Sequence, residues 1–383
     1  MPVNYLQIEK VLELYAQHAR GYQSELKRFE ESLWENFSDP DRTLGVVREK
    51  VSLAEQQMRS LYCAKPISEA LLTHKPAPTA FRNYTLIAAD GSQITPNRHR
   101  TLQFCVINVG LIKAHMGSGE APEINILSQL LAHDQLFSED GSLIGDDIVA
   151  LHRDLAERQA LLDFAPEEAQ PTLTLTDGPL DVYLNMRAID RREKLQNDVK
   201  EIHAHLEERH VISAGYIDKP GSEMISRMLN LLQVPSESLR RYDDKQRTIR
   251  GISDARLLRR LLHPGERSAI FEAVTKGEGS SSLKVHFFYL NVGTEKMPYL
   301  VRVEFPAWVS QYPQKIDLLH AAIYSDVQVL DTHPYPYLLH RAHELAVISL
   351  QEHDYVEDML LHQFELEGVR IGLRSNKEAN KQL

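Results

Sequence analysis

Two short apolar segments of this chain run into the same dipeptide. Tyr84-Thr-Leu-Ile-Ala-Ala leads into Asp90-Gly91, and Thr172-Leu-Thr-Leu-Thr leads into Asp177-Gly178. The first is short, apolar and bounded by polar residues, which predicts a strand covered on both faces. The second alternates Leu and Thr with period two, again a strand. A carboxylate at the end of such a strand sits at the edge of a low-dielectric core, and leaving it unpaired is costly. The glycine after it lets the chain turn sharply or lets a ligand approach. If the two strands are neighbours, Asp90 and Asp177 repel and one pKa rises unless a cation intervenes. Mg²⁺ or Mn²⁺ suits such an oxygen-rich site. An Asp-Gly that merely starts a turn is the competing reading, and the residues alone leave both open.

Bulk properties narrow the classes. With 383 residues, the chain has room for one large domain or two ordinary ones. A net charge of −11 argues against a protein that coats nucleic acid non-specifically, since that needs clustered Lys and Arg. It does not exclude a nuclease, whose metal site is itself acidic. No apolar run approaches the roughly 20 residues of a membrane span, so no membrane partner is expected. The start MPVNYLQIEK lacks the basic and apolar regions of a signal peptide. Cys63 and Cys105 have no metal-site spacing, and Cys105 reads as a buried free thiol. A reducing cytoplasm is the expected compartment. There is no G-x-x-x-x-G-K-[ST] phosphate loop, so any ATP hydrolysis would come from a partner.

Helical periodicity covers 3–37 and 42–63, and the proline-containing stretch Pro66 to Arg82 reads as a connector. Strands are predicted at Leu86–Asp90, Leu102–Ile112 and Glu123–Leu127. A helix follows over 146–164, with Ile148, Leu151, Leu155 and Leu162 on one stripe. After the TLTLTD strand come a charged helix over 181–209 and a strand at Val211–Ile217. Further helices are expected at 222–233, 253–262, 313–330, 336–350 and 352–366, with strands at 283–292 and 299–305. This order predicts an α/β core with helical additions, including an N-terminal helical extension.

Six segments in order resemble the NurA nuclease family: IAADGSQITPNRH, TLTDGPL, SAGYIDKPGS, ISDARLLRRLLHPGERSAIF, YLVRVEFPAWV and HPYPYLLHRAHELAVIS. The resemblance runs from about Leu86 to Ser349. It implies a ribonuclease-H-like mixed sheet with flanking helices and acidic residues gathered at one end. It also implies a Mn²⁺- or Mg²⁺-dependent DNA nuclease with 5′-to-3′ exonuclease and single-strand endonuclease activity. Such proteins form homodimers and work with a HerA-type hexameric ATPase in DNA end resection. On this reading the chain divides into a helical extension over 1–65, a nuclease domain with helical insertions over 80–370 and a polar tail over 371–383.

Carried over residue by residue, the resemblance makes Asp90 and Asp177 metal ligands. Glu157 matches the family's helix glutamate, with Asp154 as the alternative. At 100° per residue, Glu157 points away from the Ile148/Leu155 stripe, so a solvated helix charge is its competing reading. Tyr335 and His343 match the family's spacing of a tyrosine and a metal-binding histidine, and Pro336 fits a helix's first turn. Asp90, Glu157, Asp177 and Tyr335 are thus the catalytic candidates. Ser92, Arg98 and Lys219 are candidates for contact with the substrate, Lys219 as a point charge on a phosphate. Solvated turn residues are the plain alternative for Arg98 and Lys219. Glu304 reads as buried and supporting. The rival function is a non-catalytic regulatory subunit of a DNA-translocating ATPase, with the helices at 3–63 and 313–366 as docking elements.

Overall fold

The computed structural model describes residues 4–79, 81–97, 102–131, 133–137, 141–166, 171–181, 189–244, 247, 249–277, 283–330 and 334–369. Its strands are β1 (Leu61–Pro66), β2 (His74–Lys75), β3 (Tyr84–Ile94), β4 (Cys105–Met116), β5 (Glu123–Leu131), β6 (Thr172–Asp177) and β7 (Ile212–Ile217). They continue as β8 (Arg267–Ser268), β9 (Phe271–Lys276), β10 (Val285–Asn291) and β11 (Leu300–Pro306). The helices are α1 (Tyr5–Phe37), α2 (Leu44–Gln57), α3 (Asp146–Phe164), α4 (Ile189–Glu208), α5 (Met224–Leu232), α6 (Asp254–Leu258), α7 (Pro313–Val327), α8 (Tyr337–Ala346) and α9 (Leu350–Leu366). None of the described helices is long and apolar enough to cross a membrane.

The chain divides into two compact units, 1–77 with 217–307, and 78–216 with 308–383. In the first unit β1, β9, β10 and β11 pair antiparallel in that order, with β8 against β10 and β2 against β8. Leu33, Phe37, Val47, Val51, Leu229, Phe271 and Phe287 share its core. Each such side chain contributes about 1.5–3 kcal/mol on burial. The predicted helix over 42–63 is corrected here. α2 stops at Gln57, Met58 is extended, and Leu61–Pro66 is a strand. Its partner, Phe271–Lys276, lies more than 200 residues away. Local periodicity carries no trace of such a pairing.

In the second unit the strand order is β7-β6-β3-β4-β5. β3, β4 and β5 are antiparallel, while β6 and β7 run parallel to β3. This mixed sheet with helices on its faces is the ribonuclease-H-like arrangement expected. Ile87, Ala89, Ile107, Val109 and Leu111 form the core beneath it with α3 residues Val149, Ala160 and Leu161. The stripe predicted for α3 is corrected as well. Its buried residues are Val149, Glu157, Arg158, Ala160, Leu161 and Leu162, while Ile148, Leu151 and Leu155 are only partly covered. Cys63 and Cys105 are both buried free thiols, and burial pushes the Cys105 thiol up to about 11.

Candidate functional site

β3 does not end at Asp90, as its Asp-Gly suggests, but runs on to Ile94. Asp90 pairs across the ladder with Gly110, and Gly91 with Val109. Gly91 therefore makes no turn. A Cβ there would lie 2.5 Å from Glu157 Oε1 and 2.7 Å from Arg153 Cγ. The glycine is a window through which a carboxylate of α3 comes up against the strand. Gly178, by contrast, has φ +92° just past β6, the turn its sequence predicts.

Alternation along the strand puts Asp90 on the face opposite to Gly91's contacts. On that face lies α8. A Cβ on Gly110 would lie 2.4 Å from the Ala342 carbonyl oxygen and 2.6 Å from Ala346 N, so only glycine lets the α8 backbone settle here. The C-terminal end of α8 is then clamped. Asn108 Nδ2 donates to the Ala346 carbonyl at 2.8 Å, and Ser92 Oγ donates to the same oxygen. Ser128 Oγ in turn donates to Asn108 Oδ1 at 2.6 Å. At the other end Asp326 of α7 accepts from Leu338 N at 3.1 Å, capping a helix whose own N-cap, Pro336, offers no side-chain bond. So held, α8 brings His343 Nδ1 to 2.7 Å from Asp90 Oδ2.

Glu157 is buried, at 5% exposure. Arg153 Nε lies 3.2 Å from its Oε1, an ion pair by distance whose N–H is not aimed along the contact. Burial first, then the negative charges of Asp154 and Asp90, push the Glu157 carboxyl up to about 8, against the opposing pull of Arg153. Asp154, the alternative, pairs instead with buried Arg158, whose guanidinium also donates to the carbonyls of Asp154, Pro179 and Leu180. Asp177 is exposed at the end of β6. The parallel register pairs Ala89 with Thr176, so Asp177 stands level with Asp90 on the adjacent strand. Asp177 pairs in turn with Tyr216 of β7. The Tyr216 ring meets the Tyr335 ring edge-on, with centroids 5.6 Å apart.

The sheet and its two covering helices thus gather Asp90, Glu157, Asp177, Tyr335 and His343 at one end of the second unit. Ser92 belongs there too, but its hydroxyl is spent on α8. Lys219 lies in the first unit, where it takes φ +45°. Arg98 lies outside the described residues. Glu304 is buried in the first unit and ion-paired to Arg302 at 2.6 Å. Gly110, Asn108 and Arg153 were not singled out from the sequence. An isolated glycine within an apolar strand is the signal that marks Gly110; Asn108 and Arg153 carry no comparable signal.

Among the described residues, the one group of three or more His, Cys, Asp or Glu side chains whose ligand atoms all lie within 4.8 Å of one another is His353, Asp354 and Glu357 of α9. The residues around Asp90 do not form such a group. There, Glu157 faces Arg153 and Asp90 faces His343.

Comparison with known proteins adds a family. Residues 84–348 match the model of the NurA domain. Among solved structures, the chain is similar to the NurA nuclease from Sulfolobus solfataricus, at 11% identity and TM-score 0.46, covering 83% of this chain and 92% of that one. It is similar also to Ciona intestinalis Endonuclease V in complex with DNA, at 10% identity and TM-score 0.32, covering 81% and 96%. No curated protein matches.

Proposed function

The chain belongs to the NurA domain family, and from that premise we propose that it is a metal-dependent deoxyribonuclease. The observation that carries this reading is the setting of Asp90. It lies 2.7 Å from His343, level with Asp177, and within electrostatic reach of a buried Glu157. Three carboxyls and an imidazole stand on four neighbouring elements, and one carboxyl is pushed up to about 8 by burial and by its neighbours' charge. One cation, Arg153, is paired with Glu157 of this set, and the set's oxygen-rich donors with one imidazole fit Mn²⁺ or Mg²⁺. Asp90, Glu157, Asp177 and His343 are the residues that would hold it. When bound, a divalent cation supplies Lewis-acid polarisation of the scissile phosphate and a water acidic enough to attack at neutral pH.

The chain's own residues divide the remaining work. Asp90 and Asp177 supply charge from adjacent strands whose register fixes their spacing at about 4.8 Å between backbones. Arg153 supplies the positive charge that opposes protonation of Glu157. Tyr335, backed edge-on by Tyr216, orients a phosphate oxygen through its hydroxyl. The 5′-to-3′ exonuclease and single-strand endonuclease activities, a role in DNA end resection, the homodimer and the HerA-type ATPase partner are proposed with the family. Leu6 and Tyr15 on α1 are 72% and 70% exposed, which supports a partner surface on that helix.

The test is cleavage of end-labelled single-stranded DNA and RNA of one sequence, side by side, with Mn²⁺, with Mg²⁺ and with EDTA. Metal-dependent loss of the DNA alone is expected. Preferential loss of RNA would replace the reading with a ribonuclease, and no cleavage under any metal would remove it.

A further inference from the structure

α3 carries two ion pairs at i,i+4 spacing, and they differ in character. Arg158 is 4% exposed and is held by the Asp154 carboxylate and by the carbonyls of Asp154, Pro179 and Leu180. It cannot leave without orphaning buried acceptors. Arg153 has Glu157 as its one ion-pair partner among the described residues, and its Nε–H is not aimed at the carboxylate oxygen 3.2 Å away. The Arg153 side chain is 36% exposed against 7% for Glu157. The guanidinium can therefore swing into solvent while the carboxylate stays where it is. Both groups lie against the strand one residue past Asp90. A Cβ on Gly91 would lie 2.5 Å from Glu157 Oε1, and 2.7 Å and 3.0 Å from Arg153 Cγ and Cδ.

We propose that Arg153 is a displaceable counter-ion: it neutralises Glu157 in the metal-free protein, gives that carboxylate up to a divalent cation, and so sets the affinity of the site for metal. Arg153 has this role only if Glu157 is a metal ligand, as the nuclease reading above has it. A buried carboxylate needs a compensating charge. Arginine supplies one that cannot be lost by deprotonation, so it must move aside or repel an arriving cation. An arginine that instead oriented Glu157 for the metal would hold it through aligned, buried hydrogen bonds, as Arg158 holds its own partners. The two roles differ in sign. Loss of an orienting partner weakens metal binding by about 10–100-fold, whereas loss of a competing cation tightens it. A unit charge within about 4–6 Å shifts a carboxylate's proton affinity ten-fold or more. A divalent cation feels that charge twice over, so removing Arg153 favours the metal even against the proton.

The experiment is a Mn²⁺ titration without DNA, followed by the electron paramagnetic resonance signal of the free ion, on the wild type, Arg153→Gln and Arg153→Lys. Arg153→Gln should bind Mn²⁺ about ten-fold more tightly, and Arg153→Lys, which keeps the charge, should stay near the wild type. Urea unfolding supplies a second readout. In EDTA, Arg153→Gln should be the less stable protein, because Glu157 is left without its counter-charge. Saturating Mn²⁺ should raise its midpoint by more than that of the wild type and close the gap, since a tighter ligand stabilises more. A purely structural ion pair would leave the same gap with and without Mn²⁺. Unchanged or weaker Mn²⁺ binding by Arg153→Gln, in a protein whose wild type binds Mn²⁺ and cleaves DNA, would overturn the proposal alone. A wild type that neither binds Mn²⁺ nor cleaves would overturn the nuclease reading and the role of Arg153 with it.

Discussion

His343 Nδ1 and Asp90 Oδ2 meet at 2.7 Å although the two residues are 253 positions apart. The His343 side chain is 62% exposed, so little packing holds the ring itself. The contact depends on where α8 lies, and α8 is fixed three times. Asp326 caps its start, Gly110 lets its backbone onto the sheet, and Ser92 with Asn108 holds its last carbonyl.

Gly110→Ala tests the middle fixing. The atoms a Cβ would strike include the Ala342 carbonyl oxygen and Ala346 N, backbone that cannot swing aside as a flexible side chain can. The helix must lift, which should cost about 1–3 kcal/mol in urea unfolding and most of the cleavage rate, because His343 moves with it. A variant as stable and as active as the wild type would mean α8 is not so tightly seated.

Ser92 has two readings that one pair of measurements separates. As a clamp on Ala346, its loss in Ser92→Ala should lower stability by about 1 kcal/mol and leave DNA affinity in EDTA unchanged. As a phosphate contact, its loss should lower affinity with stability intact. The structure favours the first, since its hydroxyl is already committed to the Ala346 carbonyl.

The helix acid is separable in the same way. Glu157→Gln keeps the shape and removes the charge, and should reduce metal-dependent cleavage by more than the roughly 10–100-fold typical of a supporting residue. Asp154→Asn should act mainly on stability, through its ion pair with buried Arg158, and retain most cleavage. The reverse pattern would make Asp154 the metal ligand.

These residues also show what can be read from the chain. β3 is legible as an apolar run and β6 by its Leu/Thr alternation, and the Asp-Gly within β3 and at the end of β6 marks Asp90 and Asp177. The α/β order follows from the same periodicities. Glu157 misleads, because the apolar stripe chosen for α3 runs through Ile148 and Leu155. The face that packs instead carries a buried glutamate and a buried arginine. Hydrophobicity does not reveal a polar residue buried for its charge. β1, β8 and β9 are short, and β1 with β9 and β2 with β8 pair across long sequence separations, so nothing local announces them. Asn108 looks like any strand residue until α8 lies over it.

Asp326 gives stability a pH dependence of definite sign. Burial raises its carboxyl from 3.8 to about 7, with the Leu338 and Tyr337 amides opposing. Between those values the native state holds a proton that the unfolded state has lost. Unfolding free energy from this group therefore falls as pH rises from about 4 to about 7, by at most roughly 1.4 kcal/mol per unit. Asp326→Asn keeps an acceptor for Leu338 N and should flatten that part of the urea-midpoint profile, with the variant the more stable protein above pH 7. Superimposable profiles would contradict the assignment.

The most direct test of the account is cleavage of end-labelled single-stranded DNA in Mn²⁺ by the wild type and by Asp90→Ala, with urea unfolding of both. The account predicts metal-dependent cleavage by the wild type and none by a variant that is still folded. Cleavage retained in folded Asp90→Ala would contradict it, because the residue on which His343 converges would then not be needed.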